Sequence, residues 1–240
     1  FNIKQIKEKV GSGVKITGVV KADAYGHGSV RVATVLRANG IESFAVATLS
    51  EAVRLRKAGF LLEEIMVLSP IPEPYIDTII EHRLSPVVCD YKNAEAISKA
   101  AAAAGIIIKG YIAVDTGMGR IGYSDDVTSV EDVKMIAGLS NFKINGLFSH
   151  FATADAADKT YATVQEQRYM SFYKQLLKEG IDIPLRTLGN SAAVMEINSA
   201  YYDMVRPGVA TYGLAPSPDT AGILDLRPLM SLHTSIAQIR

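Results

Sequence analysis

The chain has very little cysteine, no tryptophan and no excess of either charge. It has 240 residues, and its single cysteine, Cys89, has no partner for an internal disulfide. Its 25 basic residues balance 25 acidic ones, and no block of lysine or arginine forms the basic stripe of a nucleic-acid surface. We therefore expect no nucleic-acid partner, and a reducing cytoplasm is the expected compartment.

Long apolar runs and metal-ligand spacings are missing as well. The longest apolar stretch, "AAAAAGIII" at 100–108, is much too short to span a bilayer, so no membrane partner is expected. The four histidines are scattered without the spacing of metal ligands, so we expect no metal site. The chain begins at Phe1, without an initiator methionine or a signal peptide, which predicts a piece of a longer protein.

Short β-branched runs alternate with amphipathic or alanine-rich segments along the chain. Eight strands are expected, at 15–21, 43–48, 65–69, 84–88, 109–115, 144–150, 185–190 and 203–208. Helices lie between them: one is predicted with Ser50 as N-cap and Gly59 as stop, another with Asn93 and Gly105 in these roles. Eight such units in about 230 residues favour an α/β protein with a (β/α)8 barrel over a doubly wound sheet.

The barrel is expected to occupy residues 1–230. The segment "SLHTSIAQIR", residues 231–240, is a ninth strand-like run after the count of eight is complete. We interpret it as the first strand of a truncated C-terminal β-domain.

Polar residues follow the predicted strands, and a barrel gathers such residues at one rim. They are Lys21 after the first strand, Asp115 after the fifth, His150 after the sixth, Asn190 and Ser191 after the seventh, and Arg206 and Gly208 after the eighth. Lys21 is expected to lie against the apolar barrel wall and near Arg120 or Arg206. Both conditions disfavour its ammonium form, as a Schiff-base lysine requires.

The same rim has groups suited to an anion. Gly208 allows backbone N–H groups to approach a phosphate, and Ser191 and the Tyr25 phenol are further donors. A lysine amine, a phosphate cradle, a cation that faces a ring nitrogen and a histidine that stacks on a ring together match pyridoxal phosphate.

Five motifs, "VVKADAYGHG", "VDTGMGRIG", "SHFATAD", "NSAA" and "RPGVATYG", occur in an order and at spacings that resemble the barrel domain of alanine racemase. The resemblance runs from about Ile3 to the end of the chain. It implies a pyridoxal-phosphate enzyme that interconverts L- and D-alanine for peptidoglycan synthesis in the cytoplasm. It also implies a head-to-tail homodimer of the full-length protein, with a fragment that is weakly active or inactive alone.

The resemblance implies a role for each site residue. Lys21 binds the cofactor covalently and is one of two racemising bases. The phosphate is held by Tyr25, Ser191, Gly208 and Val209, with Asn190 beside them. Arg206 faces the pyridine nitrogen, His150 stacks on the ring, and Arg120 positions the cofactor phenolic oxygen and the substrate carboxylate. The second base is implied to be a tyrosine from the partner subunit's C-terminal domain.

One position departs from the family pattern. Many members have a carbamylated lysine two residues before the aspartate of "VDTGMGR", where this chain has Ala113. Arg120 must then be held by something else, for which a bound anion such as chloride, a neighbouring side chain or the further domain are the alternatives.

Other functions remain to be weighed. Serine racemase and a non-catalytic pyridoxal-phosphate carrier are alternatives, whereas Arg206 argues against a decarboxylase of the same barrel type, which would place an acidic residue there. "GMGRIG" at 117–122 matches a dinucleotide-binding turn, but neither an immediate apolar helix nor an acidic residue about 20 positions later follows it. A nicotinamide dehydrogenase is therefore not expected.

Overall fold

The computed structural model describes residues 1–239 and contains a barrel of eight parallel strands. These are β1 (Lys15–Val19), β2 (Ser43–Val46), β3 (Glu64–Val67), β4 (Ser85–Val88), β5 (Ile108–Ala113), β6 (Phe142–Phe148), β7 (Arg186–Thr187) and β8 (Met204–Val205). Each of β1 to β6 pairs with the next strand, and β8 pairs with β1. Between β7 and β8, Arg206 N–H donates to the Gly189 carbonyl at 2.8 Å. The predicted barrel is confirmed.

Helices surround the strands. They are α1 (Asn2–Val10), α2 (Ser29–Ala38), α3 (Leu49–Lys57), α4 (Ile76–Glu81), α5 (Tyr91–Ala103), α6 (Val127–Ala137), α7 (Thr160–Lys178) and α8 (Ser191–Glu196), with short 3-10 turns at Glu73–Tyr75, Asn198–Ala200, Val209–Tyr212 and Pro218–Thr220. The amide of Asn2 donates to the Thr211 and Arg227 carbonyls, at 3.1 and 2.8 Å. These bonds tie α1 to the segment that follows β8.

The barrel interior is packed with side chains. It is filled by Val19, Ala45, Met66, Val87, Tyr111, Ala113, Phe148 and Met204. A larger apolar layer lies between the strands and the helices. Because both faces of each strand are buried, the strands are apolar runs without alternation, which is the pattern that predicted them.

The predicted helix starts were wrong by two or three residues. Thr48, not Ser50, caps α3: its side chain accepts from Glu51 N–H, and Glu51 bonds back to the Thr48 N–H. Asp90, not Asn93, caps α5, and Asn93 N–H is its donor at 2.7 Å. The glycine stops were right, since Gly59 and Gly105 adopt φ of 92° and 65° just beyond these helices.

The expected ninth strand does not form within the described residues. Residues 231–239 are exposed and pair with no strand, while Arg240 lies outside the described part. The domain boundary near residue 230 stays a prediction. In residues 1–239 no helix is long and apolar enough to cross a membrane, and no group of three or more His, Cys, Asp or Glu side chains is arranged to hold a metal ion.

Candidate active site

A cavity of about 550 Å³ opens at the carboxyl ends of the strands. All nine residues expected in the site line it, namely Lys21, Tyr25, Arg120, His150, Asn190, Ser191, Arg206, Gly208 and Val209. Its size is within the range of small-molecule sites. The barrel topology therefore brings together residues that are up to 188 positions apart in the sequence, from 21 to 209.

A second cavity, of about 880 Å³, lies at the opposite end of the barrel beside Glu64 and Met204. The Glu64 carboxylate already accepts from the Tyr111 hydroxyl and the Asn145 amide, at 3.0 and 2.7 Å. None of the nine site residues lines this cavity, so it is not the candidate active site despite its larger volume.

Lys21 is followed by a left-handed turn of the backbone. Ala22, Asp23, Ala24 and Tyr25 have φ between 50° and 56°, a region that costs non-glycine residues roughly 1–2 kcal/mol each. Several successive residues in this conformation are unusual, and they reverse the chain directly after β1. The turn places both Lys21 and Tyr25 in the cavity, which explains why "KADAYGHG" is more than the start of an ordinary βα helix.

Side chains of the turn itself, of the helix after it and of the next unit hold this turn. Asp23 accepts from the backbone N–H and the hydroxyl of Ser29, each at 2.9 Å, at the start of α2. Glu51 accepts from the Ala22 N–H at 2.6 Å. His27, also in the motif, stacks on Tyr212 with ring centroids 4.7 Å apart. These contacts offset the strain of the left-handed backbone.

The Lys21 ammonium is disfavoured in this position. Burial lowers the pKa of Lys21 from its ordinary value, and the positive charges of Arg120 and Arg206 lower it further, while the Glu51 carboxylate opposes them. This is the direction that the sequence predicted, and it raises the fraction of neutral, nucleophilic amine.

Arg206 is a buried cation at the base of the cavity and is 4% exposed. It donates to the Thr187 hydroxyl and to the Ser149 carbonyl, and its guanidinium lies 4.4 Å from the centre of the Phe148 ring. Burial lowers the pKa of Arg206 to about 10. The guanidinium therefore still carries its proton at neutral pH.

His150 lies next to Arg206 and is neutral. The two side chains are joined at 3.3 Å between Arg206 Nη2 and His150 Nδ1. Burial, together with the charges of Arg206, Arg120 and Lys21, lowers the pKa of His150 to about 3. Since Arg206 can only donate, Nδ1 is the acceptor and the imidazole proton is on Nε2.

The loops after β7 and β8 meet at Ser191. Its hydroxyl oxygen accepts from the Gly208 and Ala210 N–H groups, at 2.8 and 3.3 Å, which leaves its proton to donate. The Val209 N–H lies between them and has no acceptor among residues 1–239. A Cβ at Gly208 would lie 2.6 Å from the Tyr25 hydroxyl. Glycine at position 208 therefore leaves open an anion cradle formed by the Ser191 hydroxyl, the Val209 N–H and the Tyr25 hydroxyl.

Asn190 has a structural partner in the same loop. Its side-chain oxygen accepts from the Ala193 N–H at 3.1 Å and caps α8. The cap holds the first turn of α8, and with it Ser191, in place.

Asp115 organises the loop that carries Arg120. Its carboxylate accepts four backbone N–H groups, from Gly117, Met118, Gly119 and Arg120, at 2.8–3.1 Å. Burial raises the pKa of Asp115, but these bonds outweigh it and the net shift is downward. The glycines of "GMGRIG" thus wrap a carboxylate, and no helix begins until Val127.

The Arg120 side chain itself is exposed, and among residues 1–239 its guanidinium has no hydrogen-bond partner. Ala113, which replaces the family's lysine, is buried in the barrel interior. What holds Arg120 therefore stays a prediction.

Sequence reasoning missed Glu51, Thr187 and the loop role of Asp115. An aspartate followed by "TGMG" is typical of a carboxylate surrounded by backbone N–H groups, and this pattern was the available signal for Asp115. Nothing local distinguishes Glu51 or Thr187, because their contacts join separate units of the barrel.

Comparison with known proteins agrees with this geometry. The family model described as alanine racemase, N-terminal domain, matches residues 1–216. The chain belongs to this family. It is 44% identical over 241 aligned residues to the alanine racemase of Clostridium kluyveri and 43% identical to alanine racemase 1 of Clostridium acetobutylicum, in both cases over its whole length.

Solved alanine racemases have the same barrel. The alanine racemase of Clostridium difficile 630, solved as a complex with cycloserine, superposes with a TM-score of 0.93 at 34% identity, over 95% of this chain and 63% of that chain. The chain spans 61–62% of the length of the two curated alanine racemases.

Proposed function

We propose that the whole protein is a pyridoxal-phosphate-dependent racemase that interconverts L-alanine and D-alanine. The observation that carries the proposal is that Lys21, with its lowered pKa, shares one cavity with Arg206 and with the donors of Ser191 and Val209. An amine, a cation and an anion cradle around one cavity are the groups that this cofactor needs. The named relatives favour alanine over serine as the substrate.

The residues present fit the cofactor. The phosphate would be held by the Ser191 hydroxyl, the Tyr25 phenol and the Val209 N–H, at the point where only Gly208 leaves room. Asn190 would support this loop. Arg206, a buried cation with neutral acceptors, would face the pyridine nitrogen, and His150 would pack on the ring. When bound, pyridoxal phosphate supplies an electron sink that acidifies the Cα–H of an amino acid.

Each residue then has a defined task. Lys21 Nζ would hold the cofactor in the absence of substrate and, as the free amine, would take up or return the proton at Cα on one face of the substrate. Arg206 keeps its proton, because its pKa of about 10 is above neutrality, so it donates hydrogen bonds without transferring a proton. Arg120 would attract the substrate carboxylate at the mouth of the cavity.

Inversion at Cα requires a proton donor or acceptor on each face, and Lys21 serves one of them. We assign the other to a tyrosine of the partner subunit's C-terminal domain in a head-to-tail homodimer. The D-alanine formed in the cytoplasm would enter peptidoglycan synthesis.

The test begins with cofactor binding. The protein is mixed with pyridoxal phosphate, reduced with borohydride and digested, and the added mass is located by peptide sequencing. We expect one adduct on Lys21, its absence in Lys21→Ala, and its retention in Lys92→Ala, which removes an exposed lysine. Labelling spread over surface lysines and unchanged in Lys21→Ala would contradict the cofactor site.

Substrate and reaction are tested with the whole protein. We expect racemisation of alanine at a much higher kcat/KM than that of serine. A higher value for serine would instead assign serine racemase, and a Lys21 adduct without any racemisation would assign a cofactor carrier.

A further inference from the structure

The orientation of the Arg206 guanidinium in the cavity depends on hydrogen-bond acceptors that carry no charge. It donates to the Thr187 hydroxyl and to the Ser149 carbonyl, the latter at 2.6 Å. None of the ion pairs found in residues 1–239 includes it. Because no carboxylate attracts this cation, its orientation follows the positions of these two acceptors and of His150 Nδ1, which lies 3.3 Å from Arg206 Nη2.

These acceptors come from different strands. Ser149 follows β6 directly, and Thr187 is the last residue of β7, which is only two residues long. The register joins the strands at two positions, Leu147 with Arg186 and Phe148 with Thr187. Two backbone bonds cross at this ladder, from the Leu147 N–H to the Leu185 carbonyl at 2.8 Å and from the Ser149 N–H to the Thr187 carbonyl at 3.1 Å.

A tyrosine from helix α7 bridges the strands at this place. The Tyr169 hydroxyl donates to the Leu147 carbonyl at 2.8 Å and accepts from the Thr187 N–H at 3.0 Å. The side chain is fully buried. Burial raises the pKa of Tyr169, so the phenol keeps the proton that it donates. One hydroxyl therefore contacts both strands, and on β7 it contacts the residue that receives Arg206.

We propose that Tyr169 is a positioning residue for Arg206, acting through Thr187. By bridging β6 and β7, its hydroxyl sets the separation of the Ser149 carbonyl and the Thr187 hydroxyl, and this separation aims the guanidinium into the cavity. The inference rests on the proposed function for what Arg206 faces, whereas the bridge is a property of the barrel.

Removal of the hydroxyl has a definite consequence. In Tyr169→Phe the Thr187 N–H loses one acceptor and the Leu147 carbonyl loses one donor, in a site without water access. The strands then approach each other to restore pairing, because buried backbone groups rarely stay unsatisfied. Thr187 moves with β7, and Arg206 follows its acceptor.

The experiment uses the whole protein loaded with pyridoxal phosphate and four variants. Tyr169→Phe removes the bridge, Thr187→Val removes the acceptor with little change of shape, and Thr187→Ser keeps it. Tyr201→Phe is the matched control, since it removes another buried hydroxyl, one that bonds the Val194 carbonyl and the Asn198 side chain. Four quantities are measured: the crystallographic position of Arg206, the visible absorption spectrum of the bound cofactor between about pH 6 and 9, kcat and KM.

We expect Tyr169→Phe and Thr187→Val to displace the guanidinium and to alter the absorption spectrum and its pH dependence. Both should also lower kcat by roughly tenfold, because the hydrogen bond between Arg206 and Thr187 is weakened or lost. Thr187→Ser should keep the guanidinium position, the spectrum and kcat of the parent. Tyr201→Phe should lower thermal stability and leave the spectrum and kcat unchanged.

An unmoved Arg206 with an unchanged spectrum in both variants would overturn the inference, as would an equal loss of kcat in Tyr201→Phe. A parent protein that forms no cofactor adduct on Lys21 would contradict the proposed function instead. In that case the crystallographic position of Arg206 in Tyr169→Phe would still decide whether the bridge aims it.

Discussion

The Glu51 carboxylate accepts a hydrogen bond from the backbone N–H of Ala22, the residue that follows Lys21. Its second oxygen accepts from the Ala47 and Thr48 N–H groups, at 2.8 and 3.1 Å. One carboxylate thus links the end of β2, the start of α3 and the left-handed turn after β1. It also places a negative charge near an amine whose other charged neighbours, Arg120 and Arg206, are positive.

This link predicts the pH dependence of a Glu51→Gln variant. Burial lowers the pKa of Lys21, and Glu51 opposes that shift. Removal of its charge lowers the pKa of Lys21 further, so more of the amine is neutral at a given pH. We expect the midpoint of the rate of adduct formation with pyridoxal phosphate to move to lower pH. The measurement is the rate of absorbance change between about pH 6 and 11, an interval that includes the ordinary lysine pKa of about 10.4.

The control for this experiment is Glu81→Gln, which neutralises an exposed carboxylate away from the cavity. Its midpoint should equal that of the parent. A midpoint in Glu51→Gln that stays in place or rises would show that the charge of Glu51 does not act on Lys21.

A Gly208→Ala substitution tests the cradle. The new Cβ would lie 2.6 Å from the Tyr25 hydroxyl and displace it. If Tyr25 and this loop bind the phosphate, the Kd for pyridoxal phosphate should rise by roughly tenfold, or about 1.4 kcal/mol. Titration followed by visible absorbance measures it. Gly13→Ala is the control, since a Cβ there meets nothing within 4 Å, and an equal Kd for both variants would contradict the prediction.

The left-handed turn predicts different effects on stability for two alanine-to-glycine changes. Ala22 is exposed and has φ of 51°. Glycine adopts this conformation without strain, so Ala22→Gly should leave stability unchanged or raise it by about 1 kcal/mol. Ala102 is exposed in the right-handed helix α5, where glycine should cost about 1 kcal/mol. Urea denaturation measures both, and equal destabilisation would contradict the strain argument.

The sequence predicted the barrel because the strands are apolar runs and because glycines mark the ends of helices such as α3 and α5. It predicted that Lys21, His150 and Arg206 lie together at one rim, where they line the cavity, because a barrel gathers the ends of all its strands there. It did not predict the left-handed turn, since alanine and aspartate have no preference for four such residues in succession. The contact of Glu51 with this turn forms only after the first two units of the barrel have packed together.

The helix starts failed for a related reason. Ser50 and Asn93 are as good N-caps as Thr48 and Asp90 by residue type. The end of the preceding strand determines which residue becomes the N-cap, because the chain leaves β2 and β4 just before Thr48 and Asp90. Local preference was right about the kind of residue and wrong about its position.

His150 predicts how the barrel responds to acid. Its pKa in the folded protein is about 3, because burial and three neighbouring cations disfavour the imidazolium. An unfolded chain takes up a proton at about pH 6.5. Between these values the unfolded state binds more protons, so the free energy of unfolding falls as the pH falls. The contribution is fully present above about pH 6.5 and is lost progressively towards pH 3.

His150→Gln removes this contribution. Between pH 6.5 and 5 the parent should lose about 1.6 kcal/mol more stability than the variant, because the unfolded histidine goes from half to almost full protonation over this interval, at about 1.4 kcal/mol per proton and pH unit. Urea denaturation at the two pH values measures the difference, and the carboxylates common to both proteins cancel. His233→Gln, which changes an exposed histidine, should behave as the parent. Equal losses in the parent and in His150→Gln would mean that His150 takes up its proton while the barrel is still folded.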